Sequence, residues 1–369
     1  MRVIPQAMFQ MPASYDLAPV VFDIGVEFTK AGFAGDSSPR CIIRSEVLSH
    51  DSNQIITYKY CRADKDLLYD FFRNFLRYIY NTRLLVTSRD RRVVIVESVL
   101  CPSLIRETLA EVFFKCFEVP SLMYFPSHLM AASALGLSNA LVIDAGYSEV
   151  QIFPLYEGMV LLSSYETLQV GAKSIHDFIE SQLVEDGKVM SGKGEIMPLA
   201  SNTELITSSL IEDIKVRACF VSPKFRAQKL VKNDKSCTPA PPLEYPLGKD
   251  KILLVPGLCR ELAAESIFQL DYDDCSLQAM VLNSILKCPI DCRKELLRNI
   301  ILIGGTVCIP GFESRFVEVR LHKLSAPPNC QAWLGASIMS SPQIQFAVKP
   351  LTKAQYRKRP RLLDWFNLM

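Results

Sequence analysis

The sequence has little that would indicate a metal-bound or disulfide-bonded protein. It contains only four histidines, and its 12 cysteines include no Cys-x-x-Cys pair. The closest two cysteines, Cys288 and Cys292, have no histidine nearby, whereas a zinc site needs four convergent ligands. We therefore expect reduced cysteines in the core of a cytosolic protein rather than a zinc site or a disulfide framework.

The sequence also lacks a strong bias of charge. Its 41 basic and 39 acidic residues give a net charge of +2, which excludes a global attraction to nucleic acid or acidic membranes. Pro5 and Pro12 interrupt the amino-terminal stretch, so we expect no signal peptide there. Two uncharged stretches, 119–143 and 324–348, contain prolines and polar residues and predict buried elements rather than membrane spans.

What the sequence does contain is apolar material for a large core. Hydrophobic residues make up 49% and charged residues 22%, a balance that excludes wholesale disorder. At roughly 100–200 residues per domain, 369 residues indicate two or three domains.

Two distant segments share a pattern of apolar strand, aspartate, any residue and glycine. The first places Asp23 before Gly25, and the second places Asp144 before Gly146. Alternating residues return after each turn, which predicts a β-hairpin with a carboxylate at its mouth. The repeated pattern indicates the duplication of a domain-sized unit rather than a solenoid repeat.

A third glycine turn, Gly304-Gly305-Thr306, follows an apolar strand. Helical periodicity begins near Pro102 and again near Ser276, and a buried strand is predicted at 92–97. Strands that alternate with helices predict an α/β fold with mixed sheets.

The three turns predict an anion-binding site. Glycine lets the backbone approach a phosphate closely, and the N–H groups of the turn then point at the anion. Asp23 and Asp144 could hold Mg²⁺ through water. A nucleotide cleft between two related domains follows, although each Asp-x-Gly taken singly would be a tight turn with a capping aspartate.

On these motifs, the chain resembles actins over most of its length. The matching segments, in order, are 23–36 (first phosphate loop), 142–146 with 154–158 (second phosphate loop), 283–296 with 304–311 (adenosine region) and 332–337 (the carboxy-terminal tryptophan motif). The resemblance implies an α/β, actin-like fold of two duplicated ribonuclease-H-like domains, with ATP or ADP and Mg²⁺ between them.

The resemblance also implies site residues and a domain division. Nucleotide-binding roles are implied for Asp23, Gly25, Lys30, Asp144, Gly146, Lys215, Gly304, Gly305 and Thr306, with Mg²⁺ held through water by Asp23 and Asp144. The implied divisions are a large-domain core (1–45, 81–134 and 334–369), a reduced pointed-end subdomain (46–80), a small-domain core (135–170 and 271–333) and a second pointed-end subdomain (171–270).

The phosphate loops depart from the actin pattern. Val26-Glu27 replaces Ser-Gly in the first loop, which removes a phosphate-binding hydroxyl and adds a carboxylate that repels phosphate unless it points away. Tyr147-Ser148 replaces Asp-Gly in the second loop.

The residues that position water and nucleoside depart as well. The water-orienting glutamine of actins aligns with Ser127, and the neighbouring histidine aligns with Gln151. His128 either substitutes for that glutamine or is a core histidine. Val216 stands where actins have a glutamate, and 328–331 lacks a lysine found near the base. Because phosphoryl transfer depends on positioned water and charge, we expect weakened nucleotide binding, no hydrolysis and no enzymatic role.

The region between Arg44 and Arg91 contains no recognisable counterpart of the actin loop that inserts into the next filament subunit. It predicts instead an aromatic-rich helix that carries Phe71, Phe72 and Phe75, which serve either core packing or a partner contact. Near the carboxy terminus, Trp365-Phe366 either anchors a partner or packs in a terminal helix.

Several phrases are similar to the pointed-end actin-related branch of dynactin. They are 41–43, 89–102, 117–120, 126–130, 144–147 and 288–294. This resemblance implies capping of a short actin-like filament at its pointed end. The implied partners are actin and actin-related filament subunits, the other pointed-end subunits and, indirectly, dynein. It also implies a cytoplasmic, microtubule- or centrosome-associated location, without nucleic acid or a membrane span.

Two other functions stay open at this point. A nuclear actin-related module of a chromatin-remodelling complex would also lose hydrolysis. An active ATPase is supported only by Asp23 and Asp144 and is opposed by Val26, Tyr147, Ser127 and Gln151. A separate feature is the basic run Lys224, Arg226, Lys229, Lys232 and Lys235, in which Asp234 is the only acid. Such a run is usually a solvated face, and the alternative is a contact with an acidic partner.

Overall fold

The chain alternates strands and helices throughout, as expected for an α/β protein. The computed structural model describes residues 17–48, 55–191, 195–248, 250–269, 276–316, 320–341, 350–360 and 362. Its strands are β1 (Val20–Ile24), β2 (Phe28–Phe33), β3 (Cys41–Arg44), β4 (Glu46–Leu48), β5 (Ile55–Thr57), β6 (Val93–Glu97), β7 (Ser121–Pro126), β8 (Ala140–Ala145), β9 (Val150–Tyr156), β10 (Met159–Val160), β11 (Glu166–Leu168), β12 (Lys188–Ser191), β13 (Ile196–Pro198), β14 (Leu243–Gly248), β15 (Lys251–Val255), β16 (Ile300–Ile303) and β17 (Leu351–Thr352).

The helices are α1 (Tyr58–Cys61), α2 (Lys65–Tyr78), α3 (Ser103–Lys115), α4 (Ser127–Ser133), α5 (Ala172–Asp186), α6 (Ser208–Ala218), α7 (Lys224–Val231), α8 (Gly257–Leu262), α9 (Glu265–Phe268), α10 (Leu277–Lys287), α11 (Ile290–Arg298), α12 (Gln331–Met339) and α13 (Lys353–Lys358). Across the described parts of the chain, no helix combines the length and the apolar character that a membrane span requires.

The chain divides into two compact units. The first comprises Met1–Ser127 with Ala336–Met369, and the second comprises His128–Gly335. The sequence placed the first boundary at 134, several residues later. Helix α4 explains the difference, because His128 at its start packs on Phe153 of β9, with 4.0 Å between the ring centroids. Trp365 and Phe366 lie outside the described residues.

A six-stranded mixed sheet forms the centre of the first unit. Its strand order is β17-β7-β6-β1-β2-β3. Strands β1, β6 and β7 run parallel to one another, and β6 is buried along its whole length, as its near-continuous apolar sequence predicts. The β1–β2 hairpin predicted from the sequence is confirmed, with Asp23 opposite Lys30.

Helix α2 packs against α3 beside this sheet and carries the aromatic cluster. Its start is capped by Asp64, which accepts hydrogen bonds from the backbone N–H groups of Asp66 and Leu67. Phe71, Phe72 and Phe75 are at most 1% exposed. Phe71 stacks on Phe75 and on Tyr58, and Phe72 meets the ring of Phe71 edge to face. The prediction of a partner contact is therefore corrected for these three rings, because the apolar face of an amphipathic helix gains most free energy in the core.

The second unit repeats the arrangement of the first around a five-stranded sheet. Strands β10, β9, β8 and β16 are consecutive, and β11 also pairs with β9. As β1 pairs antiparallel with β2 and parallel with β6, so β8 pairs antiparallel with β9 and parallel with β16. The predicted helix near Ser276 is α10, whose Leu277, Val281 and Ile285 are buried. A separate four-stranded antiparallel sheet has the order β13-β12-β15-β14.

Candidate functional site

The first glycine turn connects β1 to β2 and is held by an ion pair. The Nζ atom of Lys30 donates to Oδ2 of Asp23 at 2.7 Å, and both side chains are largely buried. Gly25 donates its N–H to the carbonyl of Phe28. A Cβ atom at Gly25 would lie only 2.6 Å from that carbonyl oxygen, so the turn requires glycine.

The carboxylate that replaces glycine in this turn is paired with basic side chains. Oε1 of Glu27 lies 3.3 Å from Nη1 of Arg44, and Oε2 lies 4.0 Å from Nζ of Lys59. Ser45 fixes the turn from the other side, because its hydroxyl donates to the carbonyl of Gly25 at 2.7 Å. The charge of Glu27 is thus compensated within the first unit, which weakens the repulsion of phosphate expected from the sequence.

The second and third glycine turns lie against each other within the second unit. The hydroxyl of Thr306 donates to the carbonyl of Gly146 at 2.9 Å. Gly304 adopts a φ of +100°, and a Cβ atom there would lie 2.2 Å from the carbonyl oxygen of Ala145 and 2.7 Å from Oδ1 of Asp144. The backbone of Gly304 therefore reaches a position that no other residue type could occupy without displacing Asp144. Gly305 has open space around it.

His128 is both a core residue and a neighbour of Asp144. It is completely buried, and its Nε2 atom lies 3.9 Å from Oδ2 of Asp144. Burial lowers the pKa of His128 to about 3, so the ring is neutral at neutral pH. The neutral imidazole of His128 therefore adds no positive charge beside Asp144.

The other two departures of the second loop have partners inside this unit. The side-chain amide of Gln151 donates to Oε1 of Glu149 at 2.7 Å. The ring of Tyr147 meets the ring of His176 edge to face, with 5.6 Å between the centroids. Both replacements are thus accommodated by local contacts.

Lys215 is buried in a polar cluster on α5 and α6. Its Nζ atom lies 2.6 Å from Oε2 of Glu212, and Nε2 of His176 lies 2.8 Å from the same oxygen. Burial alone would raise the pKa of Glu212, but the hydrogen bond from His176 and the charge of Lys215 outweigh it and lower the pKa to about 2. The ammonium predicted to contact a nucleotide is therefore already neutralised by Glu212.

Sequence reasoning missed Ser45, Glu212 and His176. Glu212 carried a usable signal, because it stands three residues before Lys215 on one helix, where side chains meet. Ser45 and His176 belong to no motif, and only the folded chain brings them to their partners.

The residues of each turn, taken by itself, fit a phosphate ligand. The backbone at Gly25 and Gly304 forms close turns that a side chain would fill, and Lys30 supplies a cation at the first of them. Asp144 offers only acceptor oxygens, the donor type that hydrated Mg²⁺ prefers. Lys30 and Lys215 are each paired with a carboxylate of the chain, and Lys215 fits a ligand less well because it is buried against His176 as well as Glu212.

Comparison with known proteins agrees with this architecture. The profile of the actin family matches residues 14–360. The chain is also similar to Actin-related protein 10 of Dictyostelium discoideum, with 28% identity over 82% of this chain and 73% of the relative. A match to almost the whole chain, together with a duplicated hairpin-centred α/β fold, leads to one conclusion: the chain belongs to the actin family.

Proposed function

We propose that this chain is a non-catalytic actin-related subunit of dynactin that caps the pointed end of a short actin-like filament. Two facts support the proposal: membership of the actin family and the similarity to a protein named Actin-related protein 10. In this role the chain would also anchor the other pointed-end subunits and so support dynein-based transport along microtubules in the cytoplasm.

The observation that carries the capping role is the size of the β4–β5 hairpin. Strand β4 ends at Leu48 and pairs antiparallel with β5, which begins at Ile55. Only residues 49–54 connect the two strands. So short a connection is a poor substitute for the long loop with which an actin subunit inserts into its neighbour. A subunit that lacks this loop can still join a filament, but it cannot make the loop contact that the next subunit at the pointed end requires.

The same hairpin offers a surface for the other pointed-end subunits. Leu48 and Ile55 face each other in the β4–β5 register and are both more than half exposed. Exposed apolar side chains that lie together on a monomer mark protein-interaction sites more often than isolated ones do. We propose that a pointed-end subunit contacts Leu48 and Ile55, and not the buried rings of α2 to which the sequence analysis assigned a partner contact.

A second apolar patch, on the second unit, suits the contact with the adjacent filament subunit. Leu282 and Leu286 lie one turn apart on α10, and Ile290 begins α11. All three are exposed, and Ile290 is 76% exposed. Burial of these side chains against a neighbouring subunit would remove apolar surface from water, which is the main driving force of such assembly.

The role that we propose does not include nucleotide hydrolysis. Proteins of the actin fold typically bind a nucleotide with Mg²⁺. We propose that Gly25, Lys30, Gly304 and Asp144 retain such binding in this chain and that the nucleotide is not turned over. The chain lacks the expected water-orienting glutamine at Ser127, and Tyr147 fills the place of a second carboxylate. With the attacking water unpositioned, the barrier to phosphoryl transfer stays high.

An elongation assay tests the capping role. The purified chain is added to filaments of an actin-related subunit whose barbed ends are blocked, and pointed-end growth is followed. We expect growth to stop at substoichiometric concentrations. Continued growth beyond the added subunit would contradict capping, and co-purification with a nuclear remodelling complex instead of dynein cofactors would favour the chromatin alternative.

A pair of variants tests the filament contact. Leu286→Glu with Ile290→Glu should abolish capping, because charges replace the proposed apolar contact. The matched control is Val184→Glu with Ile196→Glu, which introduces the same two charges at exposed apolar positions elsewhere on the second unit. We expect the control to cap filaments like the unmodified chain and the tested double variant not to cap them. Equal capping by both variants would mean that α10 and α11 do not contact the neighbouring filament subunit.

A further inference from the structure

Helix α7 is fixed to the second unit by its inner face. Ala227 and Leu230 are buried, one turn apart. Between them and the helix start, Arg226 forms a two-armed ion pair with the fully buried side chain of Glu261, with N···O distances of 2.7 and 2.8 Å. Glu261 also accepts hydrogen bonds from the hydroxyl of Ser222 and the N–H of Ala240. The rotation of α7 about its axis is therefore set by the fold.

The outer face of α7 combines exposed apolar and basic side chains. At helical spacing it presents Lys224, Gln228 and Val231 on one row and Phe225, Lys229 and Lys232 on the next. Phe225 is 70% exposed and Val231 is also exposed. Nζ of Lys229 lies 4.6 Å from the centroid of the Phe225 ring. The face thus places exposed apolar side chains among its lysines, and the ring of Phe225 is in cation–π contact with one of them.

The positive charge of this face has little local compensation. Within the described residues, none of Lys224, Lys229, Lys232 and Lys235 forms an ion pair, and Arg226 is used internally by Glu261. The only acid between 222 and 242 is Asp234. Its carboxylate accepts a hydrogen bond from the N–H of Ser236 in the turn after the helix, and this contact, with a smaller contribution from the charge of Lys229, lowers its pKa. Since the whole chain has a net charge of only +2, the excess is a local concentration of charge.

We propose that the outer face of α7 binds an acidic, leucine- or aromatic-containing segment of a partner protein. Phe225 and Val231 would pack on the apolar side chains of the segment, and Lys224, Lys229 and Lys232 would pair with its carboxylates. Charge complementarity selects an acidic ligand, and the exposed ring selects one that also has apolar side chains. Nucleic acid fits less well, because the only arginine of the helix, the residue best suited to phosphate, is held by Glu261.

The binding surface is small. An eight-residue helix is about 12 Å long. That length matches about two turns of a helical partner segment. We therefore expect weak, salt-sensitive binding, to which other contacts of the partner would add. The proposal concerns the isolated chain and does not depend on capping, so each can fail without the other.

The test titrates the full chain with a fluorescein-labelled peptide of glutamate, leucine and alanine that has leucines at helical spacing. Fluorescence anisotropy reports binding at low and at physiological salt. Two comparison peptides replace glutamate by lysine or leucine by serine. Oligothymidylate and phosphatidylserine vesicles are titrated in parallel. We expect binding of the first peptide only, with weaker binding at higher salt.

Two variants and one matched control complete the test. The first variant is a triple charge reversal, Lys224→Glu with Lys229→Glu and Lys232→Glu. The second is Phe225→Ser alone. Each should weaken binding of the acidic peptide roughly tenfold. The control carries the same charge change at three exposed lysines elsewhere on the second unit, Lys188, Lys294 and Lys323, and should bind like the unmodified chain. Failure of the acidic peptide to bind, equal loss in the control, or binding of the oligonucleotide or vesicles instead would overturn the proposal.

Discussion

Asp144 stands in β8 at the same register position that Asp23 holds in β1. Asp23 faces Lys30 across its hairpin, and Asp144 faces Gln151 across its own. The number of residues from the aspartate to its cross-strand partner is the same in both hairpins. The duplicated hairpins therefore keep the same geometry but differ in the charge of that partner. One aspartate is neutralised by an ammonium, whereas the other lies beside a neutral, buried histidine.

The Asp23–Lys30 pair should contribute measurably to the stability of the first unit. Lys30→Met leaves a largely buried carboxylate without its cation and should cost about 3 kcal/mol of unfolding free energy. The matched control is Lys65→Met, which removes a mostly exposed lysine from an ion pair with Glu111. The control should cost less than about 1 kcal/mol. Urea unfolding of the three proteins checks both values, and equal losses would mean that the first turn is solvated.

Gly304 and Gly305 form a natural pair for testing the third turn. Gly304→Ala should destabilise the second unit by at least about 2 kcal/mol, because alanine is strained at positive φ and its Cβ would collide with Ala145 and Asp144. Gly305→Ala meets no atom within 4 Å and should change stability by less than about 1 kcal/mol.

The same pair separates stability from ligand binding. Displacement of Asp144 by the new Cβ should weaken the binding of Mg²⁺ with a fluorescent ATP analogue in Gly304→Ala, at a temperature where the variant is still folded. Gly305→Ala displaces no atom of the turn, so it should weaken this binding less than Gly304→Ala does. Unchanged binding in Gly304→Ala would show that Asp144 has no part in nucleotide binding.

The sequence predicts the repeated core better than the polar contacts around it. Strands β1, β8 and β16 are apolar runs that end at glycine turns, and β6 is an apolar run followed by a helix, so the local pattern is enough to place them. The contact of Gly304 with Asp144 depends on the parallel pairing of β16 with β8, which the sequence alone does not show.

Other features depend on packing between distant segments and leave no local trace. The burial of Phe75 could not be told from exposure, since an amphipathic helix presents the same pattern to its own core and to a partner. The pairing of Glu27 with Arg44 and Lys59 depends on how β3 and α1 fold back on the turn. Lys215 was assigned to a nucleotide by the resemblance to actins, and its contact with His176 leaves no local signal because that residue lies on another helix.

The aromatic cluster of α2 should behave as core. Phe75→Ala removes a fully buried ring and should cost about 3–5 kcal/mol of unfolding free energy. Leu67→Ala on the exposed face of the same helix is the control and should change stability little. Thermal and urea unfolding measure both. If the Phe75→Ala protein were as stable as the unmodified chain but no longer bound its partner proteins, the ring of Phe75 would belong to an interface and not to the core.

The cluster of Lys215, Glu212 and His176 should make stability depend on pH in acid. The folded-state pKa of Glu212, about 2, lies below its ordinary value of 4.5. Its contribution is therefore fully present above pH 4.5 and is lost as the pH falls toward 2. The difference between the two pKa values corresponds to about 3 kcal/mol.

A double-mutant cycle isolates this cluster from the other groups that titrate in acid. Lys215→Met leaves Glu212 buried beside His176 alone, so the pKa of Glu212 should rise and the protein should lose stability already at neutral pH. Glu212→Gln should remove the acid dependence, and the double variant should be more stable than the sum of the two losses predicts. Urea unfolding from neutral pH to about pH 3 measures all four proteins. Strictly additive losses would mean that Lys215 is not engaged with Glu212 and remains available to a nucleotide.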